Sequence, residues 1–286
     1  MLKIGIVLSG GFAKGAYQIG ILKALGEVFC HDQISCMAAS SVGVLNAYAF
    51  LTNRLDYAEQ MWLGLDFKSF KSFMGKYVGN SFITGVIDNL VESNAASDCI
   101  MPNMYVTCFN YTQLKLNYIN LKSVNKNDIA LYLRAAVTMP MLTHAVDIGG
   151  NKYVDGGLID NVPVKPMLKA GLDLCFVVHF DNGNYVFENS AFDSKLIKIN
   201  FLDERFVKSS LAFDKTSIAA MLMAGYEEGS RVLSTIFKNG IDDLEYIYSG
   251  IRRANANCNG KKSRLTGDVV VGNINKFMKK FVSYKF

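Results

Sequence analysis

Proline is scarce in this chain, with four residues in 286, and no stretch is rich in Ser and Pro or in Gln. Long disordered linkers are therefore not expected. No internal repeat is present, which argues against solenoid and propeller arrays. The three histidines, His31, His144 and His179, lie far apart, and no His/Cys/Asp set has metal-ligand spacing. No metal or cofactor is expected. The six cysteines (Cys30, Cys36, Cys99, Cys108, Cys175 and Cys258) are scattered, with no CxxC pair. They read as reduced thiols of a cytosolic protein, Cys108 and Cys175 within buried strands. No apolar run approaches the ~20 residues that cross a bilayer. The N-terminal run Ile4 to Leu8 is broken by Gly10-Gly11, too short for a signal-peptide core. The expectation is a cytoplasmic protein without signal peptide or transmembrane segment, bound at most to a membrane surface.

What the chain does have is core-forming material: 50% of its residues are hydrophobic. Its net charge of +5 is unevenly placed. From Ile251 onward there are nine Lys/Arg and one acid, a net +8, leaving 21 Lys/Arg against 24 Asp/Glu, a net −3. A basic arm on a near-neutral body points to an anionic partner for that end, such as lipid headgroups or a nucleic acid. In the last segment Ile274, Phe277, Met278, Phe281 and Val282 fall on one helical face, with Lys276, Lys279, Lys280 and Lys285 mostly on others. This predicts a basic amphipathic helix over 273–286, its stripe docked on the domain or lying in a membrane interface.

Near the N-terminus, strand Lys3–Leu8, helix Ala16–Phe29, strand Ile34–Ala38 and helix Val42–Leu51 alternate as in a parallel α/β sheet. Further on, helices are predicted over Tyr57–Leu65, Phe82–Glu92, Asp128–Val137 and Thr216–Phe237. Strands are predicted over Met104–Asn110, Leu114–Leu121 and Leu172–Phe180. A hairpin over Thr143–Val154, turning at Gly149-Gly150-Asn151, delivers Asp155 at the end of its second strand.

Three segments carry chemistry. Ser9-Gly10-Gly11-Phe12-Ala13-Lys14-Gly15 joins the first strand to the first helix. A P-loop would need Lys then Ser/Thr after its last glycine, and a dinucleotide fingerprint a glycine at Phe12 and an acid near Ala38-Ala39. Two readings remain: a plain tight turn, or a set of backbone N–H groups aimed at developing negative charge. Ser41 lies in Ala39-Ser40-Ser41-Val42-Gly43, between strand and helix, with small residues two positions either side. This fits a nucleophile elbow. It also fits a serine that merely caps the helix. Asp155-Gly156-Gly157 leaves a hairpin whose turn is already supplied, so the carboxylate is available as a base to Ser41, burial raising its pKa toward working pH.

In order and combination, Ser9–Gly15, Ala39–Ala47 and Tyr153–Pro163 resemble the three motifs of the patatin-like phospholipases: glycine-rich oxyanion loop, serine elbow running into Asn46-Ala47, and Asp-Gly-Gly base motif. Leu133-Arg134-Ala135-Ala136 and Met139-Pro140 resemble the helix and proline that precede the last motif. The likeness covers roughly residues 3–180. It implies one patatin-like domain over 1–286, a three-layer α/β/α fold with a central, mostly parallel sheet. It implies Ser41 as nucleophile, Asp155 as base, and oxyanion donors at Gly10, Gly11 and Phe12. Lys14, Gly15, Ala39, Gly43, Gly156 and Gly157 would support the motifs. Two departures stand out: Phe12 in place of the loop's third glycine, and Ala39 in place of the elbow's first. The implied reaction is hydrolysis of a fatty-acyl ester of a phospholipid or lysophospholipid at a membrane or micelle surface. Other readings fit the same residues: a soluble carboxylesterase, or a catalytically weak lipid-binding protein on the same fold. Nucleic-acid binding is not expected, since the basic arm lacks interleaved aromatics outside its final helix. A Ser41-Asp155-His179 triad would follow the chain order of α/β-hydrolases, but His179 falls within an apolar strand, where a core histidine is expected.

Overall fold

The computed structural model describes residues 1–65, 81–95, 102–140, 144–180, 184–186, 190–201, 214–256 and 262–264. The first four elements are β1 (Ile4–Leu8), α1 (Gly15–Val28), β2 (Ile34–Ala39) and α2 (Gly43–Leu51). They follow the alternation expected from the sequence, with ends shifted by a residue. Next come α3 (Leu55–Gly64), α4 (Ser81–Ala95), β3 (Asn103–Asn110), β4 (Lys115–Asn120) and α5 (Lys126–Val137). The expected hairpin is β5 (Val146–Ile148) and β6 (Asn151–Asp155), turning on Gly149 and Gly150, both at positive φ. The later elements are β7 (Leu174–His179), β8 (Asn184–Val186), α6 (Ser190–Asp193), β9 (Leu196–Asn200), α7 (Lys215–Ile236), α8 (Leu244–Ala256) and β10 (Lys262–Arg264). Neither β9 nor α8 is anticipated in the sequence. The strand is only five residues long, and α8 turns two fully buried apolar side chains inward, Ile247 and Ile251. The helix expected over 273–286 lies outside the described residues, as do Thr143, Cys99 and Cys258.

The central sheet runs β5-β6-β3-β2-β1-β7-β9, with β4 also on β3. Strands β3, β2, β1, β7 and β9 are mutually parallel; β4, β5 and β6 add the antiparallel pairings. Every residue of β1 is buried, as a strand covered on both faces requires. Ile4, Ile6 and Leu8 face a helical layer, where they pack with residues such as Ile21, Leu25, Leu45 and Met221. Val7, Cys36, Ala38, Cys175 and Val177 face the other way, under Val162, Val164, Met167, Leu172 and Phe192. That second covering layer is built from a 3₁₀ turn (Lys165–Lys169), the short α6 and the chain around them. Each Ile, Leu or Val so buried contributes roughly 1.5–3 kcal/mol of transfer free energy. Cys36, Cys108 and Cys175 are buried free thiols, whereas Cys30 is exposed.

One detail of the sheet positions the site. The edge of β3 away from β4 is shared by two strands: β2 pairs along Asn103–Val106, and β6 along Cys108–Asn110. Since β2 is parallel and β6 antiparallel to β3, the two run toward each other. They meet end to end at Thr107, Ala39 being paired with Val106 and Asp155 with Cys108.

Candidate active site

Thr107 seals that junction. Its hydroxyl donates to Ala39 C=O at 3.0 Å, and its carbonyl accepts Gly156 N–H at 3.2 Å. Asp155 N–H is anchored to Thr138 C=O, just past the end of α5, at 2.8 Å. The segments leaving β2 and β6, more than a hundred residues apart in sequence, are thereby pressed together. Ser41 sits on the turn into α2 with φ 52°, the left-handed region that only glycine enters freely. Backbone strain of this kind persists where surrounding structure holds it, as at a nucleophile elbow. The helix-capping alternative is not realised: the N-cap position of α2 is Val42, and no side chain caps the helix. At Gly43 a Cβ would stand 2.8 Å from Ser9 O and 3.0 Å from Leu8 O, so only glycine lets α2 begin this close to β1.

The Asp155 carboxylate accepts Gly157 N–H at 2.7 Å, and the Ser41 hydroxyl lies close enough to it to lower its pKa. Burial pushes its pKa up to about 7, Ser41 and the Gly157 N–H opposing the shift only in part. A carboxylate poised there can take a proton from a hydroxyl at neutral pH. The two glycines after it are required by space. A Cβ on Gly156 would lie 2.8 Å from Thr107 Cγ2, and one on Gly157 2.8 Å from Ser40 Oγ.

The loop between β1 and α1 crosses the same end of the sheet, where Leu8, the last residue of β1, pairs with Ala39 of β2 and Val178 of β7. Ligands of open α/β sheets bind at this carboxyl end. Gly10 is pinched, since a Cβ on it would stand 2.6 Å from Ser41 Cβ and 2.7 Å from Asn161 Oδ1. Its N–H donates to Asn161 Oδ1 at 2.9 Å, and its carbonyl accepts Asn161 Nδ2 at 3.1 Å. Of the three residues expected to supply oxyanion donors, Gly10 is thus the anchored one, and Gly11 N–H has no hydrogen-bond partner among the described residues. Phe12 follows at φ 52°. Lys14 is buried with its Nζ 6.0 Å from the centre of the Phe180 ring, and that ring also covers Gly11. A buried polar chain ties the loop to the elbow helix. Gln18 Nε2 donates to Ser9 C=O at 2.7 Å, and Asn46 Nδ2 to Gly15 C=O and Gln18 Oε1, each at 2.9 Å. Asn46 Oδ1 accepts Trp62 Nε1–H at 2.9 Å.

Residues 6–168 match the family described as Patatin-like phospholipase. The chain belongs to the patatin-like phospholipases. Among its relatives is Lysophospholipase NTE1 of Cryptococcus neoformans, 30% identical over 189 residues, covering 62% of this chain and 11% of the relative. Lysophospholipase NTE1 of Mycosarcoma maydis is 26% identical over 189 residues, covering 62% of this chain and 10% of the relative. The match thus spans about a tenth of those proteins' length. Among solved structures, VipD from Legionella pneumophila aligns over 89% of this chain and 74% of its own at 13% identity, with a TM-score of 0.49.

Both departures from the patatin-like pattern can be placed. Phe12 occupies a left-handed position that glycine adopts without strain, and its ring is half-buried against the core. Ala39 is fully buried at the end of β2. His179 is the buried last residue of β7. With β1 between β7 and β2, it stands about two strand spacings, roughly 10 Å, from the β2 end. His31 stacks on Phe50, and His144 is exposed beyond α5. Sequence reasoning did not assign roles to Asn161, Gln18 and Trp62. Asn161 is visible only as part of the Asp-Asn-Val-Pro run after the base, and nothing local reveals that it grips a glycine 151 positions away.

Proposed function

We propose that this protein hydrolyses fatty-acyl esters of phospholipids or lysophospholipids through a Ser41–Asp155 dyad. The observation that carries the reading is Ser41, at φ 52° on the turn after β2, set beside a buried Asp155 whose pKa burial raises to about 7. Ser41 Oγ attacks the ester carbonyl as its proton passes to Asp155. Gly11 N–H, with Phe12 N–H beside it, holds the developing oxyanion at the start of the short 3₁₀ turn before α1. As the tetrahedral intermediate collapses, Asp155 returns the proton to the departing alcohol or lyso-lipid, leaving an acyl-Ser41 ester. A water deprotonated by Asp155 then attacks that ester and releases the fatty acid. The relatives named as lysophospholipases favour a lipid substrate, and the basic C-terminal segment favours contact with anionic headgroups.

Labelling with a fluorophosphonate probe tests the dyad. Wild type and His179→Ala are expected to label, whereas Ser41→Ala and Asp155→Asn are not. Loss at His179→Ala would replace the dyad with a triad. An unlabelled wild type that still binds lipid would leave a non-catalytic lipid-binding protein. Faster turnover of micellar than monomeric ester separates a lipolytic enzyme from a carboxylesterase of soluble substrates.

A further inference from the structure

We infer that Asn161 is a positioning residue for the oxyanion hole, locking the Gly10–Gly11 peptide in the orientation that presents Gly11 N–H; this rests on the dyad reading above. A trans peptide is planar, with its C=O and N–H pointing in opposite directions. No described peptide bond is cis. Asn161 Nδ2 holds Gly10 C=O at 3.1 Å, so the N–H of the same peptide plane, that of Gly11, must point away from Asn161. The second arm, Gly10 N–H to Asn161 Oδ1 at 2.9 Å, fixes the peptide before it. Without this grip, a Gly-Gly peptide can rotate at low steric cost and turn its carbonyl toward the developing negative charge.

The lock is carried by the same short segment as the base. Asp155 begins it and Asn161 ends it. Between them the chain folds into a tight turn, with Ile159 N–H and Asp160 N–H both donating to Gly156 C=O, at 2.9 and 3.0 Å. Asp160 is held from β4 by the Tyr118 hydroxyl. Base and oxyanion loop are therefore fixed to one rigid unit rather than to separate loops. Gly10, wedged between Ser41 Cβ and Asn161 Oδ1, sets the spacing between nucleophile and lock.

The test uses the full chain and two variants. Asn161→Ala removes both arms. Asn161→Asp keeps the size but loses the donor and sets a carboxylate against Gly10 C=O. Active sites are titrated with a fluorophosphonate, so that turnover is counted per reactive serine and misfolded protein drops out. The expected result for both variants is a fall in kcat of about 10²–10³-fold, the loss typical of one oxyanion donor, with KM within about twofold. The inhibition constant of an alkyl trifluoromethyl ketone, whose serine adduct carries an oxyanion, should rise in step with the loss in kcat/KM. If Asn161→Ala does not fold, Asn161→Asp and Asn161→Ser give the same readout. Wild-type kcat per titrated site, or a fall in kcat with an unchanged ketone inhibition constant, would overturn the inference. A wild type with no titratable serine would overturn the dyad reading and this inference with it.

Discussion

Asp155 carries opposite demands for activity and stability. As the proposed base it must be ionised, so kcat/KM for a soluble ester is expected to rise with pH and level off above about 7, following the raised pKa. A profile flat from pH 5 to 9 would exclude Asp155 as the titrating base. Folding sees the same group with the other sign. Its folded-state pKa of about 7 lies above the ordinary aspartate value of 3.8, so between these pH values the native state binds a proton that the unfolded chain has released. Wild-type stability should therefore decline as pH climbs through that window, with the full burial penalty present above it. Asp155→Asn removes the charge and keeps the shape. It should be inactive yet melt higher than wild type at pH 8, by on the order of a few kcal/mol in stability, the gap closing toward pH 5. Thermal melts of both proteins across that range decide it. An equal or lower melting point at pH 8 would mean that the interactions of Ser41 and Gly157 with the carboxylate outweigh the desolvation.

Among the elements, α1 and α7 meet at glycines, and their packing can be separated from helix propensity. A Cβ on Gly225 would stand 2.0 Å from Tyr17 O, and one on Gly20 2.1 Å from Leu222 O, both main-chain atoms that cannot swing aside. Gly85, inside α4, has nothing within 4 Å of where its Cβ would be. The same substitution should then have opposite signs. Gly225→Ala gains helix propensity but forces the helices apart, for a net loss of about 1–3 kcal/mol. Gly85→Ala keeps the propensity gain, about 0.5–1 kcal/mol. Chemical denaturation of the two variants measures both, and a stable Gly225→Ala would show that the helix pair can slide. The sequence announces a helix at α7, because its 3.6-residue pattern is local. That Gly20 and Gly225 touch is a tertiary fact with no local signature. Two elements that escape sequence reading do so for a related reason: β9 is brief, and among the described side chains of α8 only Ile247 and Ile251 turn fully inward.

At the scale of the whole molecule, the residues of the site are legible because the chemistry confines them to few types. A serine between small residues at a strand-to-helix turn, an acid before two glycines, and a glycine loop stand out against their surroundings. Their meeting is decided elsewhere, by β2 and β6 sharing one edge of β3, and by Asn161 reaching Gly10; neither has a sequence period. Charge is the one global property readable without coordinates, and it supports a last prediction. Lys276, Lys279, Lys280 and Lys285 belong to the segment that carries the net +8, and contact with an anionic surface through charge needs no apolar insertion. Basic side chains near such a surface contribute up to about 1 kcal/mol each, within a screening length of roughly 10 Å. Co-sedimentation should accordingly show binding to phosphatidylcholine vesicles containing phosphatidylserine, weakening as salt rises toward about 0.5 M. Replacing the four lysines by Gln should reduce that binding by about tenfold or more and leave turnover of a monomeric ester unchanged. Equal, salt-insensitive binding to vesicles of phosphatidylcholine alone would instead assign the membrane contact to apolar surface, and the charge asymmetry would play no part in it.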